Sequence, residues 1–271
     1  MTGRYLTDLA DVLRAAGLAV VEVDGWKVRA RSSGGYADGR PTHLMVHHTA
    51  SPKRTDGQSD VNYIVNGSPV KPVANIYTDR QGVVWVCAAG ATNTNGTGVD
   101  SWGGGVSDNQ MNVHAIGNEI ANDGVGEPYP AAQQQSVLTS SAAICRHYGI
   151  PVHNVRAHFE WAPGRKIDPS GPSMWAASGK WDMDEFREDV AATMSAPPPT
   201  IPPTDGDTML YIAKPTYAGA DAGTPWLAVF ESGQIRRALN ADVKYAQANG
   251  VAIIDQDSRE QHEYAIAKFG I

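Results

Sequence analysis

The stretch that decides the fold and the chemistry of this chain runs from Arg156 to Pro172 and reads RAHFEWAPGRKIDPSGP. It places His158, Lys166 and Asp168 in one short segment. Imidazole and carboxylate are both good zinc ligands. Because Pro163-Gly164 marks a turn between His158 and Asp168, the segment can fold back and bring both side chains to one ion. If the piece after the turn is extended, Lys166 shares a face with Asp168, which would place a cation beside the metal.

A third ligand must come from elsewhere, because two protein ligands are too few for a zinc site. The best candidates lie in the segment LMVHHTAS, residues 44–51, where an apolar strand leads into the paired histidines His47 and His48. A strand end gives such a ligand a rigid support. Neighbouring side chains on an extended strand point to opposite faces, so only one of the pair can reach the metal. The strand alone leaves open which of the two does so.

Three segments together resemble the type 2 N-acetylmuramoyl-L-alanine amidases, over roughly residues 40–175. They are His47-His48-Thr-Ala-Ser, Ile116-Gly-Asn-Glu119-Ile and His158-x4-Pro-Gly-Arg-Lys166-x-Asp168-Pro. The last motif is long and specific, and the order and separation of the three fit together. Within that family, the modular build most resembles an actinobacteriophage endolysin.

The resemblance implies an α/β fold with a mixed central β-sheet, flanked by helices, and a zinc site at one edge. It implies one Zn²⁺ ion held by His47, His158 and Asp168, since the family places its ligand at the first position of the histidine pair. Three protein ligands leave one position for water, which is the pattern of a catalytic zinc site. It also implies that Glu119 is the general acid or base and that Lys166 stabilises the oxyanion. The alternative for those two is an ordinary surface carboxylate and a solvated lysine.

Three further residues are candidates for substrate binding. His48 is the second histidine of the pair. Asn75 lies where many relatives have a tyrosine, with Tyr77 as a possible neighbour of that place. Trp102 lies in the middle of a Gly-, Asn- and Thr-rich loop over residues 89–109 and could stack on a sugar face. A tryptophan that anchors the loop by packing is the equal alternative.

The function that follows is a zinc-dependent peptidoglycan amidase. It would hydrolyse the amide bond between N-acetylmuramic acid and L-alanine and, as an endolysin, lyse the host cell. The alternative from another class is a non-catalytic peptidoglycan-binding or recognition protein. Such proteins typically lack a metal ligand, whereas this chain has a residue at all three positions.

Composition argues against several other classes of protein, namely nucleic-acid-binding, disulfide-stabilised and membrane-inserted proteins. The chain has 271 residues, a net charge of −7 and two cysteines, Cys87 and Cys145. The negative charge argues against a nucleic-acid partner, and the apolar surroundings of both cysteines favour buried free thiols. No run of about 18 apolar residues is present, so no membrane insertion is expected. No signal peptide is evident, so an endolysin of this kind would stay in the host cytoplasm until a holin releases it to the cell wall.

The expected organisation has four parts, marked by composition and turn signals. Residues 1–38 are an N-terminal helix and hairpin that pack on the catalytic domain, 39–195 are that domain, 196–206 are a Pro-rich linker, and 207–271 are a small α/β module. The module is either a cell-wall-binding element or an oligomerisation or solubility unit.

Hydrophobic spacing and turn residues also predict individual elements. Helices are predicted at residues 5–16, 130–148, 240–249 and 258–269. Hairpins are predicted around Asp24-Gly25 and Arg80-Gln81-Gly82, and single strands at residues 43–48 and 112–121. The module beyond the linker is expected to run βββαβα.

Overall fold

The computed structural model describes residues 3–36 and 39–195, together with four strand segments at 209–215, 227–230, 235–237 and 252–256. The chain divides into two compact units, Met1–Pro198 and Pro199–Ile271. The predicted linker at 196–206 and the two predicted C-terminal helices lie outside the described residues.

The first unit is built from short strands and helices that alternate along the chain, as expected for an α/β domain. Its helices are α1 (Leu9–Ala15), α2 (Gly57–Asn62), α3 (Ala131–Tyr148), α4 (His158–Trp161) and α5 (Met183–Ser195). Its strands are β1 (Val20–Glu22), β2 (His43–His48), β3 (Ile76–Thr78), β4 (Val84–Val86), β5 (Ala115–Ile120) and β6 (Val155–Ala157). Short 3-10 turns at Trp26–Val28, Met111–Val113 and Val152–Asn154 and a π-helical turn at Tyr63–Gly67 complete it.

These six strands form one mixed sheet in the order β1-β4-β3-β5-β2-β6. All neighbouring pairs are parallel except β3 and β4, which form the predicted antiparallel hairpin. The expected mixed central sheet is therefore confirmed. Strands β5 and β2 occupy the interior of the sheet, so the residues they carry are held on both sides by backbone hydrogen bonds.

The main core lies between the sheet and helices α1, α3 and α5. Leu9 and Leu13 of α1, Val137 and Ile144 of α3 and Phe186 of α5 are all buried in it. Helix α3 begins after Pro130 and ends where Gly149 adopts a left-handed conformation (φ +69°), as its sequence predicts. Helix α5 has no counterpart among the predicted elements, although Met183, Phe186 and Val190 recur on one buried face.

The predicted hairpin around Asp24-Gly25 is wrong. Gly25 does form a turn (φ +77°), but strand β1 before it pairs in parallel with β4, about sixty residues further along the chain. After the turn, the chain forms a 3-10 turn whose Trp26 is buried and whose indole N–H donates to Glu22. The N-terminal segment is thus an edge strand of the main sheet, and its partner strand is distant in sequence.

The described residues of the second unit form four strands: β7 (Met209–Pro215), β8 (Leu227–Phe230), β9 (Ile235–Arg237) and β10 (Ala252–Gln256). They form a sheet in the order β10-β7-β8-β9, in which β10 and β7 are parallel and the other pairs antiparallel. All four lie where the sequence predicts strands.

Over the described part of the chain, no helix combines the length and hydropathy that a bilayer crossing requires. Both cysteines are buried and free, as expected.

Candidate metal centre

Two candidate ligands and the candidate acid or base lie at the carboxyl ends of three neighbouring parallel strands. His47 is near the end of β2, Glu119 is near the end of β5, and His158 follows β6 directly. His47 and Glu119 are register partners on adjacent strands, so both side chains project from the same face of the sheet. The sheet therefore fixes two of the predicted site residues side by side, and the third arrives on the next strand.

The segment after β6 folds back on itself, as its sequence predicts. Helix α4 is one turn long, and Gly164 turns the chain with a left-handed conformation (φ +78°). The backbone N–H of Phe159 then donates to the carbonyl of Asp168 at 3.1 Å. This bond closes the loop and places the Asp168 carboxylate beside the imidazole of His158.

The three predicted ligands converge. Asp168 Oδ2 lies 3.2 Å from His47 Nδ1 and 2.9 Å from His158 Nδ1. The two imidazole rings meet edge to face with centroids 4.4 Å apart. All three side chains are buried, and their ligand atoms lie within 4.8 Å of one another. His47, His158 and Asp168 thus form a metal site.

The outer nitrogens of both imidazoles face one residue, Asn95. His47 Nε2 lies 3.2 Å from the Asn95 side-chain oxygen, and His158 Nε2 lies 2.9 Å from the Asn95 backbone carbonyl. A carbonyl oxygen only accepts hydrogen bonds, so each Nε2 carries the hydrogen. In a neutral imidazole, the Nδ1 atom then presents its lone pair to Asp168. Two nitrogen lone pairs and a carboxylate that face one another are a donor set that a bound cation fits.

The spacing of these atoms fits zinc. A tetrahedral zinc ion with bonds of about 2.0–2.1 Å keeps its ligand atoms about 3.3 Å apart. The observed separations of 3.2 Å and 2.9 Å between imidazole nitrogen and carboxylate oxygen are close to that value. Two imidazoles and one carboxylate are also the donor set of a zinc site that keeps an open position.

The protonation of the ligands suits a metal. Burial, together with the nearby His158, lowers the pKa of His47 to about 4, so His47 is neutral at pH 7. Although burial alone would raise it, the adjacent imidazoles of His158 and His47 hold the pKa of Asp168 well below its usual range. A neutral imidazole and an ionised carboxylate are the forms that bind a cation.

Glu119 lies beside this centre with an unusual carboxyl group. Its Oε2 atom is buried and has no hydrogen-bond partner among the described residues. Burial, and secondly the negative charge of Asp168, raise the pKa of Glu119 to about 8. A carboxyl group of this kind exchanges a proton near neutral pH, which is the property of a general acid or base.

A cleft of about 560 Å³ opens over the site. Glu119, Lys166 and His48 all line it, together with His158 and Asp168. The His48 Nδ1 atom accepts a hydrogen bond from the Ser170 backbone N–H at 3.3 Å. The predicted catalytic pair and the second histidine are therefore in the same cleft as the metal ligands.

Asn75 and Trp102 do not line this cleft. Asn75 is completely buried, and its amide donates to the carbonyls of Ala88 and Gly90 while its oxygen accepts from the Gly117 N–H. It joins loop to sheet, so its prediction as a substrate-binding residue is wrong. Tyr77 is buried as well, with its hydroxyl bonded to Asp60.

Trp102 packs into the protein instead of facing the cleft. Its ring lies 5.9 Å from that of His43 and 6.3 Å from that of Trp161, and the Arg156 guanidinium lies 4.8 Å over it. These contacts hold the tip of the long loop. These contacts agree with the loop-anchor alternative, and the half-buried Trp102 does not line the cleft at the metal centre.

Sequence reasoning missed the other half of the cleft. Asn93, Asn95 and Gly96, from the long Gly-, Asn- and Thr-rich loop, line the cleft. Tyr63 and Val125 line it as well. Tyr63 is 58% exposed and Val125 is 88% exposed. Their exposure beside the cleft marks them as cleft residues in the structure. The sequence gives no comparable signal, because exposure cannot be read from it.

Comparison with known proteins agrees with this geometry. A family model described as N-acetylmuramoyl-L-alanine amidase (Amidase_2) matches residues 37–171. The N-acetylmuramoyl-L-alanine amidase AmiD of Escherichia coli K12 is 27% identical over 194 residues, which cover 64% of this chain and 66% of AmiD. The match thus spans just under two thirds of that relative's length.

Solved structures of similar proteins include a selenomethionine derivative of AmpD, at 21% identity and a TM-score of 0.45, covering 64% of this chain and 93% of that one. AmpDh3 from Pseudomonas aeruginosa has 19% identity and a TM-score of 0.44, covering 62% and 66%. A mutant endolysin from Bacillus subtilis has 17% identity and a TM-score of 0.43, covering 64% and 99%.

The family match covers β2, β5, β6 and the folded-back segment, and so includes all three metal ligands. With the His-His-Asp set complete and buried, residues 37–171 form a domain of the N-acetylmuramoyl-L-alanine amidase type that the family Amidase_2 describes.

Proposed function

We propose that the chain is a zinc-dependent amidase that hydrolyses the amide bond between the lactyl group of N-acetylmuramic acid and L-alanine in peptidoglycan. The observation that carries the proposal is the convergence of His47, His158 and Asp168 beside a cleft that His158 and Asp168 line, within the region that matches the family. A non-catalytic binding protein would have no need for a complete ligand set.

Zinc would be held by His47 Nδ1, His158 Nδ1 and Asp168 Oδ2. When bound, zinc supplies Lewis-acid chemistry, since it polarises a carbonyl and activates water near neutral pH. The chain's own residues must then orient the amide, move protons and stabilise developing charge. Glu119 and Lys166 line the cleft beside the ligands and are placed for the last two tasks.

Glu119 handles the proton. Its unpartnered Oε2 atom is free to accept a proton from the attacking water and to return it to the leaving L-alanine amine. The buried position keeps the pKa of Glu119 near the range in which both transfers are efficient. The alternative of an ordinary surface carboxylate does not agree with a buried atom at the cleft floor.

Lys166 stabilises the oxyanion that forms when the amide carbonyl is attacked. Lys166 is half-buried as a residue and lines the cleft, where a positive charge acts more strongly on a developing negative charge than it does in water. His48 binds substrate from the same cleft. Its Nδ1 accepts from Ser170, so its Nε2 atom is the one left to contact a ligand.

The test is mass spectrometry of the products from a defined muramoyl-peptide. We expect a free peptide that begins with L-alanine and a glycan that is not shortened. A chelator should stop the release, and added zinc should restore it. New glycan reducing ends without new L-alanine amino termini would overturn the bond assignment, and no product with zinc present would overturn the enzyme itself.

We also propose that the protein acts as a phage endolysin that lyses its host after a holin opens the membrane. The modular build of the chain supports this role. The test expresses the protein in a bacterium with a susceptible wall, alone or with a holin. Lysis should require both genes, and lysis without the holin would contradict holin-dependent release.

For the second unit, Pro199–Ile271, we propose cell-wall binding. Its four-stranded sheet is separate from the unit that holds the metal site, so the binding and catalytic roles can be divided. The test compares sedimentation with purified walls for the full chain and for a chain ended at Ser195. Equal binding by the two proteins would assign the wall contact to the first unit.

A further inference from the structure

We propose that Asn95 is the positioning residue of the metal centre, because it holds both ligand imidazoles through two different oxygen atoms. This inference rests on the proposed zinc function and adds to it a residue outside the ligand set. Asn95 does not occur in any of the three motifs that identify the site, and it lies in the long loop between β4 and β5.

The contacts divide between side chain and backbone. The Asn95 side-chain oxygen lies 3.2 Å from His47 Nε2, and its backbone carbonyl lies 2.9 Å from His158 Nε2. Asn95 is only 1% exposed. His47 is on strand β2 and His158 is the first residue of helix α4, so one residue sets the rotation of two rings that come from different elements.

An acceptor on the outer nitrogen has a specific effect on a metal ligand. When Nδ1 binds a metal, the Nε2–H is the only donor left on the ring, and it requires an acceptor once it is buried. The acceptor fixes the tautomer, orients the ring and increases its basicity. Asn95 supplies this acceptor to both rings of the metal centre.

Asn95 is itself held firmly. Its backbone N–H donates to the side-chain oxygen of Asn112 at 2.8 Å. The preceding residue, Thr94, packs against β5 at Gly117, where any side chain would come within 2.2 Å of the Thr94 hydroxyl. The Thr94 hydroxyl also donates to the Val73 carbonyl. The loop thus lies directly on the sheet at this point, so the two acceptor oxygens keep their positions.

Two substitutions of Asn95 distinguish a role in packing from a role in hydrogen bonding, because its amide nitrogen makes no hydrogen bond within the described part of the chain that an aspartate would lose. Its Nδ2 atom is buried without a hydrogen-bond partner among the described residues. An aspartate at this position would keep the acceptor for His47 and replace this unpartnered donor by a second, negatively charged oxygen. An alanine would lose the acceptor for His47 and keep the backbone carbonyl for His158.

The experiment measures zinc affinity by competition with a chromophoric chelator, using the full chain. Asn95→Ala is expected to weaken zinc binding about 10- to 100-fold. Asn95→Asp is expected to stay within about threefold of the unchanged protein or to bind more tightly, because the outer acceptor is retained. Asn93→Ala is the matched control: Asn93 lines the same wall and its amide donates to the Val70 carbonyl, and zinc affinity should not change.

The outcomes distinguish a failure of the proposed zinc function from a failure of the positioning role of Asn95. If the unchanged protein binds no zinc, the proposed function fails. If it binds zinc and Asn95→Ala binds equally well, the positioning role of Asn95 is overturned. Equal losses in Asn95→Ala and Asn95→Asp would also overturn it, since they would trace the effect to packing.

A second measurement needs no variant and guards against an alanine protein that does not fold. Proton NMR of the zinc-loaded, unchanged protein should show two downfield imidazole N–H resonances that exchange slowly with water, one for each Nε2–H. If both exchange as fast as exposed imidazoles do, Asn95 does not hold the rings. In Asn95→Ala, only the His47 resonance should be lost.

Discussion

Two buried histidines at opposite ends of strand β2 differ in what surrounds them. His43 and His47 are four residues apart, so they share a face of the strand. They are 0% and 1% exposed, and burial is the largest cause that lowers the pKa of each to about 4. The same long loop reaches both, with Trp102 at His43 and Asn95 at His47.

Of the two, His47 is the one with a carboxylate at hydrogen-bonding distance and a second imidazole in ring contact. Its Nδ1 atom faces Asp168, and its ring meets that of His158. The His43 Nδ1 atom lies 2.9 Å from the Thr42 hydroxyl, and its Nε2 atom has no partner among the described residues. Burial and a position on a rigid strand are therefore not sufficient for a ligand. Direct contact with a carboxylate distinguishes the metal end of β2, at His47, from the packing end, at His43.

The largest expected effect comes from removing that carboxylate. Asp168→Asn keeps the shape of the side chain but removes its charge, so zinc affinity should fall by more than about 100-fold, beyond the loss expected for an outer partner. Turnover should fall below detection. His43→Gln, at the other end of the strand, should keep both. Zinc content by elemental analysis and amidase assays check this pair, and loss of zinc from His43→Gln would break the comparison.

Glu119→Gln should reduce turnover about 100- to 10,000-fold, the usual contribution of a general acid or base. Because Glu119 is not among the ligands, zinc content should stay at that of the unchanged protein. Steady-state kinetics on a muramoyl-peptide, with zinc measured in the same samples, tests this expectation. An unchanged rate would remove Glu119 from the mechanism.

Lys166→Met should reduce kcat about 100- to 1,000-fold, as expected when one group that stabilises an oxyanion is removed. KM should change less, because the charge acts mainly in the transition state. Lys27→Met is the control for loss of one positive charge, since Lys27 lies against Trp26 in the N-terminal segment and does not line the cleft. A similar loss in both variants would assign the effect to overall charge.

The smallest effect concerns stability and involves the packing end of β2. Burial keeps the pKa of folded His43 at about 4, whereas an unfolded histidine titrates near pH 6.5. The unfolded chain therefore binds more protons between these values, and the stability present above about pH 6.5 is lost as the pH falls towards 4. The contribution is about 1–3 kcal/mol.

Urea unfolding of chelator-treated protein at pH 7 and pH 5 measures this effect. His43→Gln should lose less stability than the unchanged protein over that interval, because the histidine that resists protonation is gone. The same loss in both proteins would mean that His43 does not titrate as its burial requires.

The elements that the sequence predicts correctly are those whose signals are local. Strand β2, the hairpin of β3 and β4 and helix α3 follow from local periodicity and turn residues. The folded-back ligand segment, residues 158–168, follows from its Pro-Gly turn. In all these cases the information lies within a few neighbouring residues.

The errors arise where partners are distant in sequence. Strand β1 pairs with β4 instead of forming the local hairpin expected around Asp24-Gly25. Asn75 bonds to backbone groups of Gly117 and Gly90. Asn95 lies in an aperiodic loop, so the pattern did not indicate that it would contact two ligands. Its role depends on which strands the loop crosses, and only the tertiary structure determines that.

The most direct test of the central claim is the zinc-edge X-ray absorption spectrum of the zinc-loaded protein. The metal centre described here predicts two imidazole nitrogens and carboxylate and water oxygens at about 2.0–2.1 Å, with no sulfur at about 2.3 Å. A sulfur shell, or scattering from a number of imidazoles other than two, would contradict the assignment of His47, His158 and Asp168.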